Sequence, residues 1–226
     1  MGKISGGNIL YGICRFWADT FFLFTGIRHK NIYEEPRDST RQYIFISNHI
    51  SYLDIPMMIA SIRHQHIRIL GKAEMAKIPI FGFIYRQGAV LVNRENAKTR
   101  SKSVENLIYF LQKKISVFIC PEGTFNETNQ PLKSFYDGAF RIAIETQKPI
   151  RPILFLDTYD RLSYKSIFSL NPGICRAVYL PAIETAGLAM KDIASLKEKT
   201  FSEMAEGLIR YEASWIGVPV SIETAL

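Results

Sequence analysis

A histidine and an aspartate lie five positions apart in Asn48-His49-Ile50-Ser51-Tyr52-Leu53-Asp54, directly after the apolar, β-branched run Tyr43 to Ile46. Imidazole is neutral near pH 7, and a carboxylate partner fixes its tautomer and stabilises the imidazolium. The pair therefore has the make-up of a general base and its orienting group. A spacing of five puts two residues on different faces of an ideal helix. His49 and Asp54 can meet only if His49 lies on a turn and Asp54 in the first part of the helix that follows. The same residues also fit a loop histidine and an aspartate that merely caps a helix running through Met57 to Ile62, so the remaining segments must decide.

Three of them follow or form strands. Gly88-Ala89-Val90-Leu91-Val92-Asn93-Arg94 ends a strand in an arginine. Its guanidinium would stand at the carboxyl end, where α/β proteins bind ligands, and suits a phosphate; a surface arginine ending a strand is the plainer reading. Cys120-Pro121-Glu122-Gly123-Thr124-Phe125 follows the strand Ile115-Ser116-Val117-Phe118-Ile119. Proline and glycine around Glu122 make a tight loop, and Gly123 permits close approach to the backbone. Glu122 there could accept a hydrogen bond from a substrate hydroxyl or hold Arg94, or the segment is an ordinary βα turn. Lys148-Pro149-Ile150-Arg151-Pro152-Ile153-Leu154 puts two prolines at the start of an apolar strand. That reads as an edge or wall element lining an acyl pocket.

The elements that must position these groups alternate. Candidate strands are 43–47, 67–70, 89–92, 115–119, 151–156 and 175–180. Helical patterns lie between and after them, over 97–114, 138–147 and 190–213. The first carries Val104, Leu107, Ile108 and Leu111 on one face and Lys98, Arg100, Lys102, Lys113 and Lys114 on the other. The last would pack Ile193, Leu196, Met204 and Leu208 into the core. Such alternation predicts an α/β fold, a mixed, largely parallel sheet flanked by helices. Residues 9–27 are conspicuously apolar, interrupted by Arg15 and Asp19, an i,i+4 pair that could compensate each other. With Phe16, Trp17, Phe21, Phe22 and Phe24 around those charges, the segment reads as an amphipathic helix in the membrane interface rather than a span or a buried core helix. The chain divides at a polar linker near 31–41 into a membrane-associating segment, 1–30, and a domain, 31–226.

Hydrophobic residues at 47% and charged ones at 22% of 226 residues exclude disorder and supply one sizeable core. The net charge of +7 favours anionic partners. The basic residues are scattered and form no nucleic-acid motif, so no nucleic-acid partner is expected. Three widely spaced cysteines, Cys14, Cys120 and Cys175, show neither a zinc pattern nor a disulfide framework, which favours a reducing compartment. His29, His64 and His66 form no ligand constellation.

Taken in order, NHxxxxD at 48–54, GAVLVNR at 88–94, PEGT at 121–124 and the proline-bearing strand near 152 resemble the glycerolipid acyltransferase family, most closely its bacterial 1-acylglycerol-3-phosphate branch. The stretch 68–94 also looks like the family's segment between its first two motifs, and the likeness covers about residues 40 to 185. The resemblance implies acyl transfer without a metal or an acyl-enzyme. His49 would be the base and Asp54 its partner, with Asn48 preceding the base as in many members. Lys72 and Arg94 would hold an acceptor phosphate, and Glu122, Gly123 and Thr124 would belong to the acceptor-binding motif. No cofactor is implied beyond the acyl thioester, on acyl carrier protein or coenzyme A. The family's habit of docking on the cytoplasmic membrane face matches the N-terminal segment.

Two departures stand out. Phe125 occupies a position where the family usually has arginine or a small polar residue, and Tyr136 and Asp137 lie where it often has lysine, with Lys133 nearby. The expected reaction is acylation of the sn-2 hydroxyl of lysophosphatidate to phosphatidate. The Phe125 departure makes a phosphate-free lysolipid, such as a monoacylated amino-acid lipid, the alternative acceptor. Competing readings are an acyl-enzyme on Cys120 activated by His49, a nucleic-acid binder and a non-catalytic membrane module.

Overall fold

A computed structural model describes residues 3–77, 85–86, 88–92 and 97–217. These form a seven-stranded sheet in the order β1-β7-β6-β2-β5-β3-β4. The strands are β1 (Ile27–Tyr33), β2 (Ile44–Ser47), β3 (Ile67–Lys72), β4 (Ala89–Val92), β5 (Ser116–Ile119), β6 (Ile150–Phe155) and β7 (Gly173–Tyr179). Strands β6, β2, β5, β3 and β4 run parallel to one another. β7 is antiparallel to β6 and carries β1 parallel to itself at the edge. The largely parallel sheet expected from the alternating pattern is present.

β2 and β5 are buried along their whole lengths, as strands covered on both faces must be. Successive β2 residues feed different cores. Ile44 and Ile46 face a core with Leu107, Phe140, Met204 and Leu208, from helices α3 (Ala97–Gln112), α4 (Gly138–Thr146) and α6 (Ile193–Arg210). Phe45 faces the other core, with Tyr11, Phe22, Met57 and Met58 from α1 (Lys3–Thr25) and α2 (Asp54–Ser61). Leu107, Leu111, Leu196, Met204 and Leu208 are buried, as their helical spacing requires.

The chain departs from expectation in three places. β1 was read as the end of a helix followed by a linker, because Ile-Arg-His-Lys-Asn-Ile-Tyr has no apolar run. It is instead paired with β7 over all seven residues, Ile27 opposite Gly173 through Tyr33 opposite Tyr179, and so runs across position 30. β6 was read as an edge or wall element, and the edge alternative fails: it lies between β7 and β2. Its interior Pro152 is tolerated because the β6–β7 ladder starts only at Ile153, and the Pro152 carbonyl turns to that side to accept from Leu180 N–H at 3.1 Å. Asp19 pairs with Arg63 of the segment after α2 rather than with Arg15. The Arg63 guanidinium holds the Asp19 carboxyl below its usual range.

α1 is two-faced. Tyr11, Ala18 and Phe22 are buried, and the Tyr11 hydroxyl donates to the Ile62 carbonyl at 2.6 Å. Ile9, Ile13, Phe16, Trp17, Leu23 and Phe24 are exposed, and at 3.6 residues per turn they share an arc of about 120°. The helix stops at Gly26, whose φ of +67° a side chain would resist. Its first turns are clamped by Arg68, only 2% exposed, whose guanidinium donates to the Ile4 carbonyl and Asn8 Oδ1, both at 3.0 Å. No helix among the described residues is long and apolar enough to cross a membrane.

Candidate active site

The parallel strands end along one edge of the sheet, and the chemistry-bearing segments leave from that edge. β2, in the middle of the sheet, hands the chain to His49. β5, its neighbour, hands it to the Cys120–Phe125 loop. β3, one strand further out, ends in the exposed Lys72. Arg94 lies outside the described residues.

Asp54 is the first residue of α2, and the turn from His49 to Leu53 folds back over it. Oδ2 of Asp54 lies 2.8 Å from His49 Nδ1 and accepts the Ile50 and Ser51 backbone N–H groups at 2.8 and 2.9 Å. The carboxylate therefore holds the turn that precedes α2 rather than capping the helix, whose start has no side-chain cap. It is 2% exposed. Against a carboxylate oxygen Nδ1 must carry the hydrogen, which leaves Nε2 of the half-buried ring with its lone pair free to take a proton. Ser51 secures the turn, accepting Leu53 N–H at 2.8 Å and donating to the Leu162 carbonyl.

The neighbouring residues act on this turn through its backbone. Asn48, 1% exposed, donates to the Phe155 carbonyl at 3.0 Å and accepts Phe155 N–H at 2.9 Å, stapling the end of β2 to the end of β6. Glu122, also buried, accepts His49 N–H at 2.8 Å on Oε1 and Lys133 N–H at 2.8 Å on Oε2. The side chains of Asn48 and Glu122 hold the loop that carries His49, through partners 107 and 73 residues away that local pattern in the sequence could not show. Burial pushes the Glu122 carboxyl up to about 7, against the pull of those two N–H groups. Gly123 adopts φ +78° and bonds back to the Cys120 carbonyl at 3.1 Å, closing the tight loop. Thr124 is exposed, and its hydroxyl receives Lys133 Nζ at 2.8 Å. Lys133 therefore places an ammonium on this loop. The Cys120 thiol lies 3.6 Å from the Ser47 hydroxyl.

Phe125 packs against the His49 ring at a tilt, their centroids 4.4 Å apart. Tyr52 meets Phe125 edge-on at 5.1 Å, and Tyr164 stacks on it at 6.1 Å. This aromatic wall was missed. Tyr52 sits inside the NHxxxxD motif, but Tyr164 comes from the loop after β6, and no spacing rule ties it to position 49.

Such a turn, with an imidazole held by a buried carboxylate at the mouth of a parallel sheet, can remove a proton from a bound hydroxyl. A family model described as Acyltransferase matches residues 28–156, more than half of the chain. The chain belongs to the acyltransferase family. Acyltransferases with which it aligns include the human 1-acyl-sn-glycerol-3-phosphate acyltransferase beta, 27% identical over 187 residues, or 81% of this chain and 66% of that one. The Salmonella typhimurium 1-acyl-sn-glycerol-3-phosphate acyltransferase is 29% identical over 155 residues, 68% of this chain and 61% of that one. The chain thus spans less than two thirds of the length of either relative. The crystal structure of a 1-acyl-sn-glycerophosphate acyltransferase from Thermotoga maritima superposes with a TM-score of 0.70 at 20% identity, covering 91% of this acyltransferase and 80% of that chain. At that identity the superposition shows the shared fold.

Proposed function

We propose that this protein moves a fatty acyl group from an acyl thioester to the free hydroxyl of lysophosphatidate, giving phosphatidate, with His49 as general base. One observation carries the reading: a His49–Asp54 pair 2.8 Å apart, its carboxylate buried and its second ring nitrogen unclaimed among the described residues. The names of the aligned relatives support the acceptor.

His49 Nε2 takes the acceptor hydroxyl's proton as that oxygen attacks the thioester carbonyl carbon. Asp54, bonded to Nδ1, stabilises the imidazolium. The tetrahedral intermediate collapses with the C–S bond breaking, and His49 returns the proton to the departing thiolate of coenzyme A or acyl carrier protein. General base catalysis of this kind contributes about 10²–10⁴-fold, and positioning of the two substrates supplies much of the rest. Lys72, Arg94 and Lys133 are the cations assigned to the acceptor's phosphate, with Thr124, whose hydroxyl receives Lys133 Nζ, as a further contact. The exposed arc of α1 is assigned to the cytoplasmic membrane face, where the protein would sit peripherally.

A second acceptor is favoured by a specific contact. Phe125 presents an apolar face where a phosphate ligand is usual in the family, and its ring packs against His49. That wall suits a phosphate-free lysolipid, such as a monoacylated amino-acid lipid. The deciding experiment offers purified protein an acyl thioester with either lysophosphatidate or the phosphate-free lysolipid, with His49→Ala as control. Transfer to lysophosphatidate, lost in the variant with the fold intact, is the expected result. Turnover retained in His49→Ala would overturn the mechanism, and transfer only to the phosphate-free acceptor would reassign the product.

A further inference from the structure

The loop between α5 (Thr158–Arg161) and β7 is tied at both ends. At its start, Ser163 bridges to Ser51 of the His49 turn, and the Ser51 hydroxyl donates to the Leu162 carbonyl. At its end, Gly173 N–H donates to the Gly26 carbonyl at 3.2 Å, where α1 stops. The loop thus joins the base-bearing turn to the end of α1 that exposes Leu23 and Phe24.

Between those ties the loop turns apolar side chains outward. Phe168 is 90% exposed and Ile167 66%, with Leu170 also exposed. Its backbone meanwhile finds partners inside the loop. Serine hydroxyls accept the N–H groups of Ser163, Lys165 and Phe168, from Ser169, Ser163 and Ser166 respectively. Ser169 N–H and its hydroxyl both donate to the Ser166 carbonyl, and Asn171 N–H donates to that of Arg161. A segment that pairs much of its backbone internally while presenting phenylalanine and isoleucine lowers the cost of entering a lipid interface, where unpaired backbone groups are penalised. Lys165 and Arg28, both exposed, supply the cations that anionic headgroups attract.

We infer that residues 162–172 form a second lipid-contacting leg beside the base, inserting Ile167 and Phe168 into an anionic phospholipid surface together with the Leu23–Phe24 end of α1. Two legs joined at Gly26–Gly173 fix how the molecule stands on the bilayer, and the loop leg leads directly to the His49 turn. The aromatic chain Phe168-side loop, Tyr164, Phe125, His49 then lies along the route by which a lysolipid leaves the membrane. This rests on the lysolipid reading for its purpose, but its readout does not involve turnover.

The test measures partition of the full chain onto vesicles of phosphatidylethanolamine and phosphatidylglycerol, by flotation. Ile167→Ser combined with Phe168→Ser is expected to weaken partition at least about tenfold, as withdrawal of a buried phenylalanine side chain from lipid would. In parallel, Phe168→Trp in a Trp17→Phe background should be quenched by brominated lipid beyond its Trp17→Phe parent. Unchanged partition of the serine variant, or absence of the added quenching, overturns the inference. So does protection of position 168 by acidic carrier protein but not by vesicles, which would make the loop a protein dock. If the serine variant fails to fold, the quenching alone decides. A parent protein that binds vesicles through the loop yet transfers no acyl group would overturn the lysolipid reading and leave this inference standing.

Discussion

The two sides of the His49 ring are built differently. On the carboxylate side, Asp54, Asn48 and Glu122 are buried and bonded to backbone groups of the turn, of β6 and of the Glu122 loop. On the other side, Phe125, Tyr52 and Tyr164 touch one another through ring faces and edges, and Tyr52 is 46% exposed. Hydrogen bonds fix position and direction, whereas ring contacts tolerate sliding and exchange. The carboxylate side is therefore the rigid one. The aromatic side can rearrange at less cost, and it holds Phe125, the residue that sets the proposed acceptors apart.

Asp54→Asn tests the carboxylate side most severely. The amide can still accept the turn's backbone donors, but it brings no counter-charge to the imidazolium, and its own N–H can face Nδ1 and favour the wrong tautomer. Turnover should fall on the order of 10²-fold or more with a comparatively small change in melting temperature, measured by steady-state kinetics beside thermal unfolding. A variant that keeps parental turnover would show that the contact serves only to hold the His49 turn.

Asn48→Ala should act through stability first. Removing the staple leaves the Phe155 N–H and carbonyl unpaired in the core, at about 1–3 kcal/mol for each stranded group. Denaturant unfolding should show that loss together with a fall in kcat. Retained stability would mean that β6 and β2 are held without the amide.

Phe125→Arg breaks the aromatic wall and should leave the fold nearly unperturbed. The ratio of kcat/KM for lysophosphatidate over a phosphate-free lysolipid should rise about tenfold, the value of one added charge-assisted contact of about 1.4 kcal/mol. An unchanged ratio would remove Phe125 from acceptor choice.

The smallest effect is a slope. Burial raises the Glu122 carboxyl to about 7 in the folded protein, from the ordinary 4.5. The folded state then holds this proton more tightly than the unfolded state. This group's contribution is greatest below pH 4.5 and is lost as pH rises towards 7, by at most about 1.4 kcal/mol per pH unit. Glu122→Gln should flatten that part of the stability profile, and an identical profile in the variant would contradict the assignment.

How much of this was legible in the sequence follows the same division. The His49–Asp54 pairing could be read because both members lie within one turn, so local geometry alone limits how they meet. β2, β5 and β6 were legible because burial on both faces forces apolar runs, and β3, β4 and β7 because enough of each is apolar to show. β1 was not, since its Arg-His-Lys-Asn centre, paired with β7 alone, carries no apolar run. The staple of Asn48, the brace of Glu122 and the stacking of Tyr164 depend on which strand ends lie side by side, and sheet order is not written in local pattern. The Arg63 partner of Asp19 was hidden likewise, 44 residues away.

Arg68 bears on any attempt to detach the N-terminal helix. Its guanidinium sits so close to Gly7 that a Cβ there would collide with it, and it rests over the Phe110 ring on its way to the first turns of α1. Trimming α1 to obtain a membrane-free enzyme would strand a buried cation and open the core around Phe45. Solubility and integrity are therefore coupled here: a shortened chain exchanges one exposed apolar surface for another, and the sound way to make the helix polar is to recolour its outer arc with polar side chains while leaving its inner face in place.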